Sequence, residues 1–237
     1  MLRTMHAVPG GHGATGQHPA DIEIVGHQWW WQVEYLDPQV SRRILSANEI
    51  HIPVGRPVEL ELRSYDVIHS FWVPRLHGKV DLVPGDVTRI RVQADSPGLF
   101  EGQCAEYCGP QHAHMAILVV ADPPADYAAW LAHLRAPAAE TRLQSPASEG
   151  QRVFTEHQCV LCHTIRGTVA RGTIGPDLTH FAARRGLAAN SLPNSRGPLS
   201  AWVTHAQSLK PLAQMPNLTI LTGQEQQALV AYLESLK

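Results

Sequence analysis

All four cysteines of the 237-residue chain fall into two tight pairs, Cys104 with Cys108 and Cys159 with Cys162. Such pairing points to metal or cofactor chemistry, because a disulfide framework usually scatters its cysteines along a chain. Apart from Met1 and Met5, only two methionines occur, Met115 and Met215, one after each pair. Thiolate, imidazole and thioether together favour copper over hard cations. The segment from Cys104 to Met115, CAEYCGPQHAHM, holds two thiols, the imidazoles of His112 and His114, and one thioether. Two thiolates can bridge two coppers, which then share one unpaired electron and reorganise little on electron transfer. A blue-copper loop also offers Cys, His and Met in order, but with a single cysteine. One more imidazole has to come from elsewhere, and His69, in the stretch DVIHSFWVP, stands 35 residues before Cys104. Taken alone, a histidine in a half-apolar strand is more often a satisfied core residue.

The second pair is a C-x-x-C-H motif, Cys159-Val160-Leu161-Cys162-His163. Its thiols can add to haem vinyl groups while the adjacent histidine reaches the iron from one face. A redox dithiol would need a βαβ context, and a zinc site a second ligand pair; neither is visible. A sixth ligand for electron transfer should be a soft neutral donor, since His/Met ligation raises the potential and leaves no open position. Met215 is the remaining methionine of this half, with His157, His180 and His205 as competitors. Gly175-Pro176-Asp177-Leu178 would be the loop crossing His163, with the Pro176 carbonyl accepting from the imidazole.

These donors need rigid elements to hold them. From Asp21 to Ala121 the pattern alternates with period two, as in DIEIV, VELELR and VTRIRV, with turn signals at VGRP, PGD and SPG. Short strands spaced this closely predict an all-β sandwich or barrel. Pro123 to Arg135 reads as a short helix with Tyr127, Trp130, Leu131 and Leu134 on one face. A Pro/Ala/Ser-rich stretch then predicts a flexible linker over 137–147, ahead of a helical, loop-rich domain over 148–237. Ser148 with Gln151 and Thr222 with Glu225 are capping-box patterns, and Leu229, Tyr232, Leu233 and Leu236 form a helical stripe. The expected order is a flexible lead over 1–20, a β-domain over 21–136, the linker, and an all-α domain.

The C-x-x-C-H motif, Met215 and the Gly175-Pro176 loop together resemble a class I cytochrome c. From about Gln28 to Ala121 the chain resembles subunit II of haem-copper cytochrome c oxidases. That likeness rests on QWWW at 28–31, the His69 segment, GKVDLVPG at 78–85, and the C-x-E-x-C-x3-H-x2-M loop. It implies a cupredoxin-like sandwich carrying the binuclear copper centre CuA, with Cys104 and Cys108 bridging and His69 and His112 each on one copper. It further implies Met115 and the Glu106 carbonyl as weak ligands, and the Glu106 carboxylate facing a magnesium site shared with subunit I. In that family an aromatic residue of the Trp29, Trp30, Trp31 cluster is where electrons enter. His114 stands where the family commonly has an aromatic residue, leaving a spare imidazole, but the spacing prefers His112.

The resemblance implies a subunit that passes electrons from haem c to CuA and on to subunit I, where oxygen is reduced and protons are pumped. Partners would be subunits I and III and an electron-donor cytochrome or other redox protein. The location would be periplasmic, at the outer face of a bacterial cytoplasmic membrane. The two N-terminal membrane helices usual in the family are absent, so the sequence reads as the water-soluble part. Two other readings are the copper domain of a nitrous oxide reductase and a copper carrier or redox sensor. Against the first stand Glu106 and the lack of a propeller-like repeat. Net charge of −2 argues against a nucleic-acid partner. The charge is uneven: residues 1–136 carry 10 basic against 15 acidic groups, and residues 137–237 carry 9 against 6. Opposite halves on a flexible tether predict transient, salt-sensitive docking of the haem domain near Trp29 to Trp31.

Overall fold

A computed structural model of the protein describes residues 20–237. The expected flexible lead over 1–20 lies outside them, except for Ala20, which is buried. Ten strands make two five-stranded sheets. One has the order β3 (Ile44–Ala47), β2 (Trp30–Tyr35), β1 (Ile22–His27), β5 (Val58–Ser64), β8 (Thr88–Val92). The other runs β4 (Glu49–Pro53), β10 (Ala116–Asp122), β9 (Gly98–Cys104), β6 (His69–Trp72), β7 (Val80–Leu82). Strands β1 and β9 alternate buried with more exposed residues, as the period-two pattern requires of strands with one face on the core. The core fills with Ile22, Ile24, Trp31, Leu60, Leu62, Phe71 and Ile117, all essentially inaccessible.

Strand β4 is the exception, buried at every residue. Its outer side is covered by helix α1 (Pro124–Arg135), whose Trp130 stacks on His51 with ring centroids 3.9 Å apart and meets Tyr35 edge-on at 5.3 Å. Leu134 of α1 is buried and Leu131 packs beside it. The expected helical face is therefore the one that docks.

The second half has its own core, built around α2 (Pro146–Glu156), α3 (Arg196–Leu209) and α4 (Gly223–Ser235). Phe154 meets Tyr232 edge-on at 5.8 Å where α2 crosses α4. It is not all-α: a short antiparallel ribbon pairs Gly186–Leu187 with Leu192–Pro193. Helix α4 begins with the expected box, Thr222 and Glu225 each bonding the other's amide. Helix α2 begins earlier than its expected box at Ser148. Ser145 is the cap, Pro146 occupies the first turn, and Ser148 is the third residue, whose amide bonds the Ser145 hydroxyl at 3.1 Å. Proline at the first position has no N–H to leave unpaired and a backbone already set for helix, which moves the start forward.

The segment expected to be a flexible linker, 137–147, is held at several points, and its last two residues already belong to α2. Ala138 N–H donates to Arg166 O at 2.9 Å, and Thr141 bonds Gln151 at 2.8 Å. The Arg166 guanidinium donates to the last carbonyls of α1, those of Leu134 and Arg135, capping that helix from the other domain. Transient docking on a tether is accordingly not what the structure shows. The two halves are joined by hydrogen bonds: Ala116 N–H to Ala189 O (3.2 Å), Arg185 N–H to the Glu49 carboxylate (3.1 Å), Asn190 to Asn48 O (2.8 Å) and Ser191 to His114 O (3.1 Å). Most acceptors here are main-chain oxygens, so the charge imbalance of the halves is not what the contact mainly uses.

Thr222→Ala should remove the acceptor for the Glu225 amide and destabilise the helical domain by about 1 kcal/mol. Urea unfolding followed by helical circular dichroism measures it, as a lower midpoint at unchanged slope.

Candidate metal centres

The antiparallel register pairs Phe71 with Cys104 and Trp72 with Gln103, so the start of β6 lies beside the end of β9. His69 and Cys104 therefore arrive at the same end of the sandwich from distant parts of the chain. Cys104 N–H donates to Met115 O at 2.9 Å, which closes the base of the loop between β9 and β10 and brings Met115 back under it. Inside the loop, Gly109 has φ +119° and its Cα faces the Trp29 indole, where a Cβ would lie 3.0 Å from Cζ2. Only glycine suits both the left-handed backbone and the close approach. Gly26 serves similarly beneath His69, because a Cβ there would lie 2.8 Å from Cδ2 of that ring.

Six donor groups converge. Cys104 Sγ and Cys108 Sγ lie 3.7 Å apart, unbonded and buried. Each thiol faces one imidazole: Cys104 Sγ is 3.9 Å from His69 Nδ1, and Cys108 Sγ is 3.6 Å from His112 Nδ1. Met115 Sδ is 3.9 Å from Cys108 Sγ, and the Glu106 carbonyl is 3.2 Å from Cys104 Sγ. His114 turns away, its Nδ1 2.7 Å from the Gln111 side chain. The donor set is soft and nearly symmetric about the sulfur pair, which fits two copper ions sharing two thiolates. The Cys108 thiol, with His69 and nearby amides, holds Cys104 far below the usual thiol range, while Cys104 and burial hold Cys108 above it.

His69 is oriented by a residue that sequence reasoning missed. The Asp66 carboxylate lies 2.8 Å from His69 Nε2 and accepts a hydrogen bond from it, which turns Nδ1 toward the sulfur. Burial alone would lower the His69 pKa, but Cys104 and Asp66 outweigh it and raise it. Asp66 also accepts the Gln28 amide at 2.7 Å. Its three-residue offset from His69 was the available signal. Gln28 Nε2 and Trp29 Nε1 both donate to Cys108 O, at 2.7 and 2.9 Å. Of the three tryptophans, Trp29 thus touches the loop directly, Trp30 stacks on His27 at 4.5 Å, and Trp31 lies wholly inside the sandwich, 6.0 Å from the His69 ring. The Glu106 carboxylate is exposed and sits 3.9 Å from Lys79 Nζ.

In the helical domain, His163 Nδ1 lies 2.8 Å from Pro176 O and donates to it, as the Gly-Pro loop suggested. Burial lowers the His163 pKa, which keeps the imidazole neutral and Nε2 available to a metal. Cys159 and Cys162 are free thiols on the turn just before it. Met215 is half-buried against the domain core. Gln207 of α3 holds its loop, donating to Ala213 O and Met215 O at 2.6 and 2.7 Å and accepting from Leu212 N at 3.0 Å. Two thiols, a neutral imidazole with its proton fixed, and a thioether fit a covalent haem.

Both sites lie inside segments of the chain that match known families. Residues 37–122 match the family model of the cytochrome c oxidase subunit II periplasmic domain, and residues 147–237 that of cytochrome c. Cytochrome c oxidase subunit 2 of Alkalihalophilus pseudofirmus is 40% identical over 223 residues, 94% of this chain and 63% of that one. The Bacillus subtilis protein of the same name is 29% identical over 228 residues, 91% of this chain and 62% of that one. The chain thus spans less than two thirds of the length of these relatives. Among solved structures, the periplasmic domain of subunit II of cytochrome oxidase of Bradyrhizobium japonicum is 27% identical, with a TM-score of 0.46 over 50% of this chain and 96% of that one.

Asp66→Ala should leave the sandwich folded but weaken copper binding by roughly 10- to 100-fold, the usual cost of losing an outer partner of a ligating histidine. Competition with a copper chelator measures it. What the chain joins is a domain of the cytochrome c oxidase subunit II family and a domain of the cytochrome c family.

Proposed function

We propose that this chain is the electron-input part of a haem-copper terminal oxidase. Its cytochrome domain takes electrons from a donor, its copper domain receives them, and subunit I uses them to reduce oxygen and pump protons. The observation that carries this is the convergence of two thiols, two imidazole Nδ1 atoms, a thioether and a carbonyl at one end of the sandwich, in direct hydrogen-bond contact with Trp29. When bound, a copper pair and a covalent haem supply the one-electron redox chemistry that no side chain here could.

The protein's own part is binding, orientation and exclusion of water. Cys104, Cys108, His69 and His112 would hold the coppers, with Met115 and the Glu106 carbonyl as weaker ligands. All of these except His112 and Glu106 are buried, which keeps the site dry and its electrostatics strong. Cys159, Cys162, His163 and Met215 would hold the haem, with Pro176 fixing the His163 imidazole. Trp29, placed between the copper loop and the cytochrome domain, is our choice among the three tryptophans for the point where electrons cross. A magnesium shared with subunit I would have to draw the Glu106 carboxylate away from Lys79. Subunits I and III are the partners, at the outer face of the membrane. No helix among the described residues is long and apolar enough to cross one.

Electron paramagnetic resonance of the copper-loaded protein should show seven hyperfine lines from one electron on two equivalent nuclei, and four lines would refute the bridged pair. Cys108→Ser should convert the first pattern into the second by removing one bridge. Met215→Ala should abolish the weak near-infrared band of methionine-ligated ferric haem and lower the haem potential, since a soft ligand that favours ferrous iron is lost. Survival of that band would move the sixth ligand elsewhere.

A further inference from the structure

The chain uses arginine 16 times and lysine three times, at Lys79, Lys210 and Lys237. Lys210, just past α3, is the buried one, 3% exposed. Among the described residues no carboxylate pairs with it. Instead Nζ donates to Trp29 O at 2.7 Å, His114 O at 2.6 Å and Ala188 O at 3.0 Å. A protonated amine has three donors, and here each finds one carbonyl. Two of the three belong to the copper domain, and both adjoin the Cys108 side of the metal site: Trp29, which bonds Cys108 O, and His114, between His112 and Met115. A planar guanidinium could not radiate its donors this way, which explains a lysine in so arginine-rich a chain. Burial pulls its pKa down to about 7, and an ammonium buried there needs the three hydrogen bonds it makes.

A second observation meets it from the ribbon tip. Ala188, Ala189 and Asn190 are consecutive residues with φ of 55°, 59° and 56°. Left-handed backbone is disfavoured for alanine because its Cβ crowds the following carbonyl oxygen, and a run of three is unusual. Each residue of this turn is spent on a contact: Ala188 O on Lys210, Ala189 O on Ala116 N–H, and the Asn190 side chain on Asn48 O, with Ser191 adding a bond to His114 O. Three of these four contacts are made to the copper domain.

We infer that Lys210 and the left-handed turn Ala188–Asn190 form a latch that fixes the cytochrome domain against Trp29 and the copper loop, so that electrons cross a standing interface. Lys210 is a positioning residue. It touches neither metal site's ligands but sets the distance between them. The inference rests on the electron-transfer reading for its purpose, though the latch is observable without it.

The test uses the full chain loaded with copper and haem. Amide hydrogen exchange reads Ala116, whose N–H is bonded only across the interface. In Lys210→Met, Ala116 should exchange at least about tenfold faster, given the worth of charge-assisted bonds. Amides of α2, α4 and the β9–β10 ladder should be unchanged, and so should both metal spectra. Unchanged Ala116 protection in the folded variant overturns the latch. If Lys210→Met does not fold, Ala189→Pro replaces it: proline cannot take positive φ, so the turn opens with Lys210 intact, and Ala116 still protected would again overturn it. Flash-reduction kinetics give the second readout. Transfer in the native chain should be indifferent to glycerol viscosity and become viscosity-dependent in Lys210→Met. Viscosity dependence in the native chain would mean that the domains move to react, against the latch. Absence of any transfer in the fully loaded native chain would instead refute the electron-transfer reading and leave the exchange result standing.

Discussion

The antiparallel return of the chain from β9 to β10 is the constraint on which the copper site depends. One hydrogen bond, Cys104 N–H to Met115 O, closes the base of the loop and fixes where both residues point. The loop above it must then fold over a space whose floor is already built by β6 and β1. Cys108 and His112 reach that space from above, His69 from below, and Gly26 and Gly109 provide the room. The donors are gathered by backbone pairing, so a metal pair has little chain entropy left to overcome.

Around that floor the hydrogen bonds run in a short relay. Asp66 holds His69 and the Gln28 amide, and Gln28 and Trp29 hold the carbonyl of Cys108. The turn between β1 and β2 is therefore tied to both sides of the site at once. It is also the turn whose main-chain oxygen receives Lys210, so the piece that supports the ligands is the piece the second domain grips.

Most of the donors that the structure brings together were legible in the sequence because they are local: a twelve-residue loop and a five-residue motif carry their own spacing. His69 was legible because the loop left a place for it. Strands β1, β5 and β8 followed from alternation, and the Leu229, Tyr232, Leu233 and Leu236 face of α4 from helical spacing. What was hidden lies in contacts between remote positions. Lys210 and Trp29 are 181 residues apart, and nothing in the neighbourhood of either announces the other. The stretch 137–147 has the composition of a free linker, but its backbone groups find partners on the neighbouring domain. Ser145 and Pro146 read as the end of the Pro/Ala/Ser-rich linker, whereas they are the cap and first turn of α2. Charge totals suggested steering between surfaces, whereas the contact is made mostly to peptide oxygens.

That choice of acceptor distributes the burden of change unequally. Arg166 addresses the oxygens of Leu134 and Arg135, Asn190 that of Asn48, Ser191 that of His114, and Lys210 those of Trp29 and His114. A peptide oxygen is present whatever side chain the residue bears. Substitution at Leu134, Arg135 or Asn48 leaves the acceptor where it was, while substitution of a donor deletes the bond outright. Apart from the Glu49 carboxylate, which accepts from Arg185 N–H, the side chains that make the seam stand in the cytochrome half, and most seam positions of the copper half can change residue and still offer the same acceptor.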